Sequence, residues 1–383
     1  MSQKKQLTFL EATAIITGYG IGGGIMTLPF LTTKTGLPVM FTLLGLGFFI
    51  SWIMHLMIAE IIIRDGDNSQ MVELFQKYIL KNRPAIFTWI IFILIAFAFL
   101  ASLSAYIAGG GKIIADIFGL PLIAGQSIFY AVAAGVVFFG LKALGMSEKY
   151  GVFIILSAVL VFMGGCFSVP FSLKMEVLGG ANNYLKLFGM IMFSFFAIFS
   201  VPQVAEGLDH NRKLIPRAIT LGIAINAVVI FAIIIMTTGV SQAVDEVAII
   251  TLGASLGRWA SITGSVFIIF AMLTSYWSVA YALATVVEER LKIAPRPSWL
   301  IATLPSLALV LVLSKSFLDF MELAGGAIAL IVAFMVMPLY NAVRKSARVT
   351  NPDFKLTTLG TVAFQALVVI GYIAMAIGSV LPK

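Results

Sequence analysis

Residues Gly18–Gly24 read GYGIGGG inside the apolar stretch LEATAIITGYGIGGGIMTLPF. Five glycines in seven positions permit unusual torsions and close approach of a ligand to bare backbone. Unwinding there leaves two half-helices. The outer one presents amides at Gly22, Gly23 and Gly24 at a positive dipole end suited to an anion. The inner one ends in carbonyls from Gly18 to Ile21, suited to a cation or an ammonium group. A second candidate break lies in FSFFAIFSVPQVAEGLDHNRKLIPRAI (Phe193–Ile219). Pro202 lacks an amide and crowds the preceding turn, which frees carbonyls near Ala197, Ile198 and Phe199 beside Ser200.

Other polar side chains offer less. Tyr106 reaches a carboxylate if it faces the same site. Glu11, Glu60 and Glu206 fall toward one end of their apolar runs, where solvated and gate-forming roles are equally open. Lys112 is placed to snorkel to the surface. Two histidines, His55 and His210, are too few for a metal set, and the lone Cys166 excludes a disulfide framework. No nucleophile–base pair or metal motif stands at depth, so an enzyme is not expected.

The elements that must position these groups are membrane spans. Of 383 residues, 60 % are hydrophobic and 11 % charged, outside the range of soluble domains. Segments of roughly 20 apolar residues cross a hydrocarbon core. They fall near 8–33, 37–63, 85–117, 121–140, 151–170, 185–208, 214–240, 259–290, 298–314, 318–340 and 357–381, which makes about eleven transmembrane helices in one all-α domain, 1–383. Ser69–Pro84 reads as a surface amphipathic helix, and Gln242–Gly257 as a short helix on the other side. Met1–Gln6 is a basic lead without a cleavage pattern. The tail and the even-numbered loops hold 18 of the 25 lysines and arginines. That asymmetry puts the N-terminus in the cytoplasm and Lys383 outside, in a plasma or inner membrane.

Spans 1–5 (8–170) and 6–10 (185–340) align at a near-constant offset, with 357–381 left over. Five is odd, so the second set enters the membrane inverted. Inverted repeats with discontinuous helices characterise secondary transporters.

The two quoted stretches resemble the first and sixth helices of the amino acid/polyamine/organocation superfamily. The eleven spans are similar to its hydroxy/aromatic and auxin-type amino acid permeases. Ser-Val-Pro-Gln stands where many members have Gly-Phe-Glu. The resemblance implies the LeuT-type five-plus-five inverted repeat plus one helix, with helices 1 and 6 discontinuous. It implies an amino acid site at Tyr19, Gly20, Gly22, Gly23, Gly24, Tyr106, Phe196, Ala197, Phe199 and Ser200. The Gly22–Gly24 amides would hold the carboxylate, carbonyls of Gly20, Ala197 and Phe199 the ammonium, and Phe196 would gate the site.

Sodium-coupled members of that fold carry Ala-x-x-Thr-Ser in the eighth span, and this chain has Ala271, Thr274 and Ser275. With carbonyls of Gly18 and Ile21 they would supply five hard oxygens for sodium; the alternative is that Thr274 and Ser275 only bond back to their own helix. Proton-driven relatives often place a lysine in the fifth span; here only Lys149, at its edge, is near. The expected function is symport of a neutral L-amino acid with a cation, sodium favoured and no other cofactor. The alternatives are proton symport or exchange, and a sensor that binds amino acid without moving it. The partners expected are the amino acid and the lipid bilayer, with no nucleic acid.

Overall fold

A computed structural model gives the architecture and describes residues 6–381 apart from 68, 82, 242 and 347. These form sixteen α-helices, most of them joined by short turns, with longer connections after Cys166 and Ser346, and no strand occurs among the described residues. The chain begins with α1 (Phe9–Gly20), α2 (Leu28–Thr33), α3 (Leu37–Asp65), α4 (Met71–Tyr78) and α5 (Ala85–Phe118). It continues with α6 (Leu122–Phe138), α7 (Leu141–Cys166), α8 (Ala181–Ser194), α9 (Val201–Gly207), α10 (Ile215–Val240) and α11 (Ala248–Leu256). It ends with α12 (Arg258–Leu291), α13 (Pro295–Leu313), α14 (Phe317–Ile331), α15 (Met337–Ser346) and α16 (Val362–Val380).

Local chemistry sets the ends. Thr8 opens α1 with a capping box: its hydroxyl accepts the Glu11 amide at 3.3 Å, and Glu11 accepts the Thr8 amide at 2.8 Å. Gly66 stops α3 in the left-handed region, at φ 81°, where a side chain would be strained.

Among the described residues, nine helical runs are long and apolar enough to cross a membrane. A tenth place is taken by a pair, Phe9–Gly20 and Gly24–Thr33, bent by 50°, and the fourth by the shorter α6. Each of the eleven expected positions is therefore helical. The largest boundary difference is at the fifth: the helix begins at Leu141, ten residues before the expected 151. LKALGMSEKY carries two lysines and a glutamate, which disguises nearly three helical turns as a loop. The surface helix is confined to Met71–Tyr78, and the short helix to Ala248–Leu256. Gln242 and Lys383 lie outside the described residues, as do Met1–Lys5.

The first helix sits at the centre, packed against α7, α10 and α12, while α3 packs on α8, α10 and α16. Phe167 and Val312, 88 % and 80 % exposed, belong to the outer surface of the bundle. Lipid removes any hydrophobic drive between helices, so small residues at close crossings matter more. At the α5–α6 crossing a Cβ on Gly125 would stand 2.2 Å from the Gly111 carbonyl oxygen, which only glycine allows.

Candidate functional site

The glycine run ends α1 at Gly20. Gly22 is extended, with φ −100° and ψ −172°, and a 3-10 turn of Gly23–Thr27 leads into α2. No side chain caps that turn. At the inner side of the break the Ser275 hydroxyl donates to the carbonyls of Gly18 and Tyr19, 3.2 Å each. The glycines face different neighbours. A Cβ on Gly18 would meet Glu148 Oε2 at 2.0 Å, and one on Gly20 would meet Asn226 Nδ2 at 2.0 Å. A Cβ on Gly22 would instead stand 3.1 Å from Ser275 Oγ and 3.4 Å from the Tyr106 hydroxyl.

The sixth span breaks upstream of where Pro202 suggests. Helix α8 ends at Ser194, Ala197 is non-helical (φ −140°, ψ 20°), and a 3-10 turn of Ile198–Ser200 feeds α9. Pro202 lies in the first turn of α9, where a missing amide costs nothing. It starts a helix rather than kinking one. The buried amide of Ala197, freed by the break, is met by a residue on another helix: it donates to His55 Nε2 at 3.1 Å. His55 Nδ1 lies 2.6 Å from the Ser51 carbonyl, so Nδ1 carries the proton and Nε2 is left to accept.

Between the breaks lies one closed pocket, lined by Tyr19, Gly20, Gly22, Gly24, Tyr106 and Phe196 together with Ser102, Phe193, Ser194, Val279 and Ile328. Its volume is about 10 Å³, room for one water at most. Six of the expected substrate residues thus meet in one place. Gly23 opens the adjoining 3-10 turn. Ala197, Phe199 and Ser200 do not reach the wall. The Ala197 carbonyl accepts both the Ser200 hydroxyl at 2.6 Å and the Ser200 amide at 3.1 Å. Phe199 packs behind Phe196 instead, as rings run from Tyr19 to Phe196 (6.1 Å), to Phe199 (5.6 Å), to Phe99 (4.5 Å).

Of the residues named for sodium, Ser275 reaches the Gly18 carbonyl beside the pocket, whereas Thr274 bonds back to its own helix. Thr274 and Ser275 are fully buried, and the Thr274 hydroxyl donates to the carbonyls of Phe270 (2.9 Å) and Ala271 (3.1 Å). Hydroxyl and carbonyl oxygens that are so engaged retain lone pairs for a cation.

Of the carboxylates considered from sequence, Glu11 is held by Lys142 at 2.6 Å. Glu60 accepts from Arg64 (2.7 Å), Tyr340 (2.7 Å) and the Leu356 amide (2.9 Å), and Glu206 is not without partners. Sequence reasoning missed Glu148, which is fully buried on α7 with one oxygen bonded to the Ser278 hydroxyl at 2.7 Å. It also missed Asn226, buried with neither amide atom bonded among the described residues, and the role of His55. A polar residue in the seventh span was the only sign of Asn226.

Comparison with known proteins places this geometry. The fold matches the crystal structure of MhsT in complex with L-phenylalanine, with TM-score 0.63 and 17 % identity over 98 % of this chain and 99 % of that one. It also matches Mhp1, a nucleobase-cation-symport-1 family transporter in a closed conformation with bromovinylhydantoin bound. There the TM-score is 0.59 and the identity 13 %, over 97 % of this chain and 91 % of that one. The chain shares the LeuT-type fold of these two structures. No curated protein matches the sequence. The tryptophan/tyrosine permease family model matches residues 5–379. A multi-pass transporter rather than an enzyme, the chain belongs to the tryptophan/tyrosine permease family.

Proposed function

We propose that the protein carries a neutral L-amino acid across a cell membrane by alternating access, in symport with a cation, sodium favoured. The observation that carries this is the meeting of both helix breaks with Tyr106 on one closed pocket. The uncapped turn at Gly22–Gly24 suits a carboxylate, and the carbonyl-rich end of α1 suits an ammonium group or cation. Phe193 and Phe196 make the opposite wall apolar, which disfavours a charged side chain. The family's name and the phenylalanine bound to MhsT support an aromatic substrate.

The proposal includes an inverted repeat of 8–170 and 185–340, a cytoplasmic N-terminus and an outer C-terminus. The placing of the two breaks, in the first and sixth spans, supports the repeat. Moving one charge through ~100 mV supplies ~2.3 kcal/mol, enough for about 50-fold accumulation. At about 10 Å³ the pocket admits no amino acid until Tyr19, Tyr106 or Phe196 moves.

Counterflow of labelled amino acids in proteoliposomes tests the proposal. Exchange is expected for neutral substrates, aromatic ones foremost. Binding without exchange would identify a sensor, and preference for a charged amino acid would contradict the pocket assignment.

A further inference from the structure

Asn226 is fully buried on α10, and neither its Oδ1 nor its Nδ2 has a partner among the described residues. An amide taken out of water with nothing to bond is costly, so a partner for it is expected.

Its place is set by the close packing of α10 on α1. A Cβ on Gly222 would stand 2.7 Å from the Ile16 Cβ, and the Thr17 hydroxyl reaches the Gly222 carbonyl at 3.4 Å. About one turn further along both helices, Asn226 meets Gly20. Its Nδ2 is 2.0 Å from the point a Gly20 Cβ would occupy. One carbon–carbon bond, ~1.5 Å, separates that point from the Gly20 Cα, so the amide nitrogen lies within about 3.5 Å of that atom. The Ser194 carbonyl oxygen is 3.3 Å from the same point, and Gly20 and Ser194 both line the pocket.

Gly20 marks the carbonyl end of the inner half-helix, where the partial charge is negative and an ammonium group is favoured. An ammonium brings three donors, and several acceptors there are already engaged. The carbonyls of Gly18 and Tyr19 accept the Ser275 hydroxyl, and that of Gly20 accepts the Gly22 amide at 2.9 Å. At the second break the Ala197 carbonyl accepts Ser200 twice. No residue lining the pocket carries a charge. The Asn226 amide is unused. With neither of its atoms bonded, no partner fixes which way it faces, and a turn about its last torsion presents Oδ1 in place of Nδ2.

We propose that Asn226 Oδ1 accepts a hydrogen bond from the ammonium group of the substrate, as a side-chain ligand beside Gly20. This gives α10 a residue in substrate recognition and requires a substrate with a free α-amino group. It also gives Gly20 a purpose, since any Cβ there would displace the amide. The proposal rests on the amino acid reading of the pocket.

L-Tryptophan is the probe, in equilibrium binding to the purified full chain at neutral pH. Asn226→Leu nearly keeps the volume and deletes the acceptor, so affinity should fall by at least about tenfold, the loss expected for a hydrogen bond to a charged group. Asn226→Asp keeps the acceptors and adds a charge opposite to the ammonium, so affinity should match or exceed wild type. Competition by indolepropionate, which is tryptophan without its amine, should be weak and the same in Asn226→Leu as in wild type. Melting of the ligand-free variants reports folding separately.

Equal affinity of Asn226→Leu and wild type for L-tryptophan overturns the assignment. So does an equal loss for L-tryptophan and indolepropionate, which would mark a structural role. A larger loss in Asn226→Asp than in Asn226→Leu overturns it too, because the added charge would then be repelling the carboxylate. If Asn226→Leu does not fold, Asn226→Asp decides alone: retained or tighter binding supports the contact, and weaker binding overturns it. A wild type that binds none of L-tryptophan, L-tyrosine and L-phenylalanine would instead overturn the amino acid reading on which the proposal rests.

Discussion

The two breaks are made from different materials. The first is a run of glycines, and its freed carbonyls are met by one hydroxyl, Ser275, on α12. The second is a run of aromatic and apolar residues, and its freed amide is met by one imidazole, His55, on α3. In hydrocarbon an unpaired backbone group costs several kcal/mol, so each break persists only with its partner. Backbone can thus be opened by removing side chains or by supplying a polar group from a neighbouring helix. Only the first route leaves a mark in the local sequence.

The largest expected effect comes from closing the first break to substrate. Gly22→Leu puts a side chain between Ser275 and Tyr106 and should weaken amino acid binding by at least about 100-fold, ~2.7 kcal/mol. Gly45→Leu is the control, because a Cβ there meets nothing within 4 Å. Equilibrium binding to purified protein reads both, and equal affinity in the two variants would remove Gly22 from the site.

That contrast also explains how much was legible beforehand. Glycine spacing located the first break and, with the apolar runs, all eleven helical positions. Pro202 pointed to the right span but the wrong turn, since a proline near a helix start caps as readily as one inside kinks. His55 and Glu148 were opaque for a different reason. Each acts on a helix remote in sequence, 142 residues away for the His55–Ala197 bond and 130 for Glu148–Ser278. Glu148 was hidden further by the lysines around it, which made the start of α7 look like a loop.

Breaking the second opening should cost less. His55→Leu leaves the Ala197 amide without an acceptor and should destabilise the protein by ~1–3 kcal/mol. His55→Gln retains an acceptor and should recover part of this. Thermal unfolding in detergent, with and without substrate, measures the difference. If both variants melt like wild type, the second break does not depend on the imidazole.

The aromatic wall sharpens the comparison further. Phe196→Ala removes a ring from the pocket and should weaken substrate binding by about tenfold, ~1.4 kcal/mol. Phe99→Ala removes a ring two contacts away, so it should lower stability more than affinity. An affinity loss larger for Phe99→Ala would place the gate elsewhere.

The smallest effect lies away from both breaks. Asp67, past the end of α3, accepts from Lys77 (3.0 Å) and Arg348 (2.7 Å). The hydrogen bond from Lys77 holds its carboxyl below the usual carboxylate range. Its folded-state value is depressed, so its contribution is present at neutral pH and fades as pH falls below about 4. Because the pair is half exposed, Asp67→Asn should change stability by less than about 1 kcal/mol at neutral pH, converge with wild type in acid, and leave substrate affinity untouched. Melting curves across pH check this.

The central claim is that the first break holds both charges of an amino acid while the second supplies an apolar wall. Competition against a labelled substrate by three compounds tests it most directly: the amino acid, its methyl ester and its N-acetyl derivative. The account predicts that only the intact amino acid competes, since the ester lacks the carboxylate and the acetylated compound lacks the ammonium group. Competition by either derivative as strong as by the amino acid would contradict it.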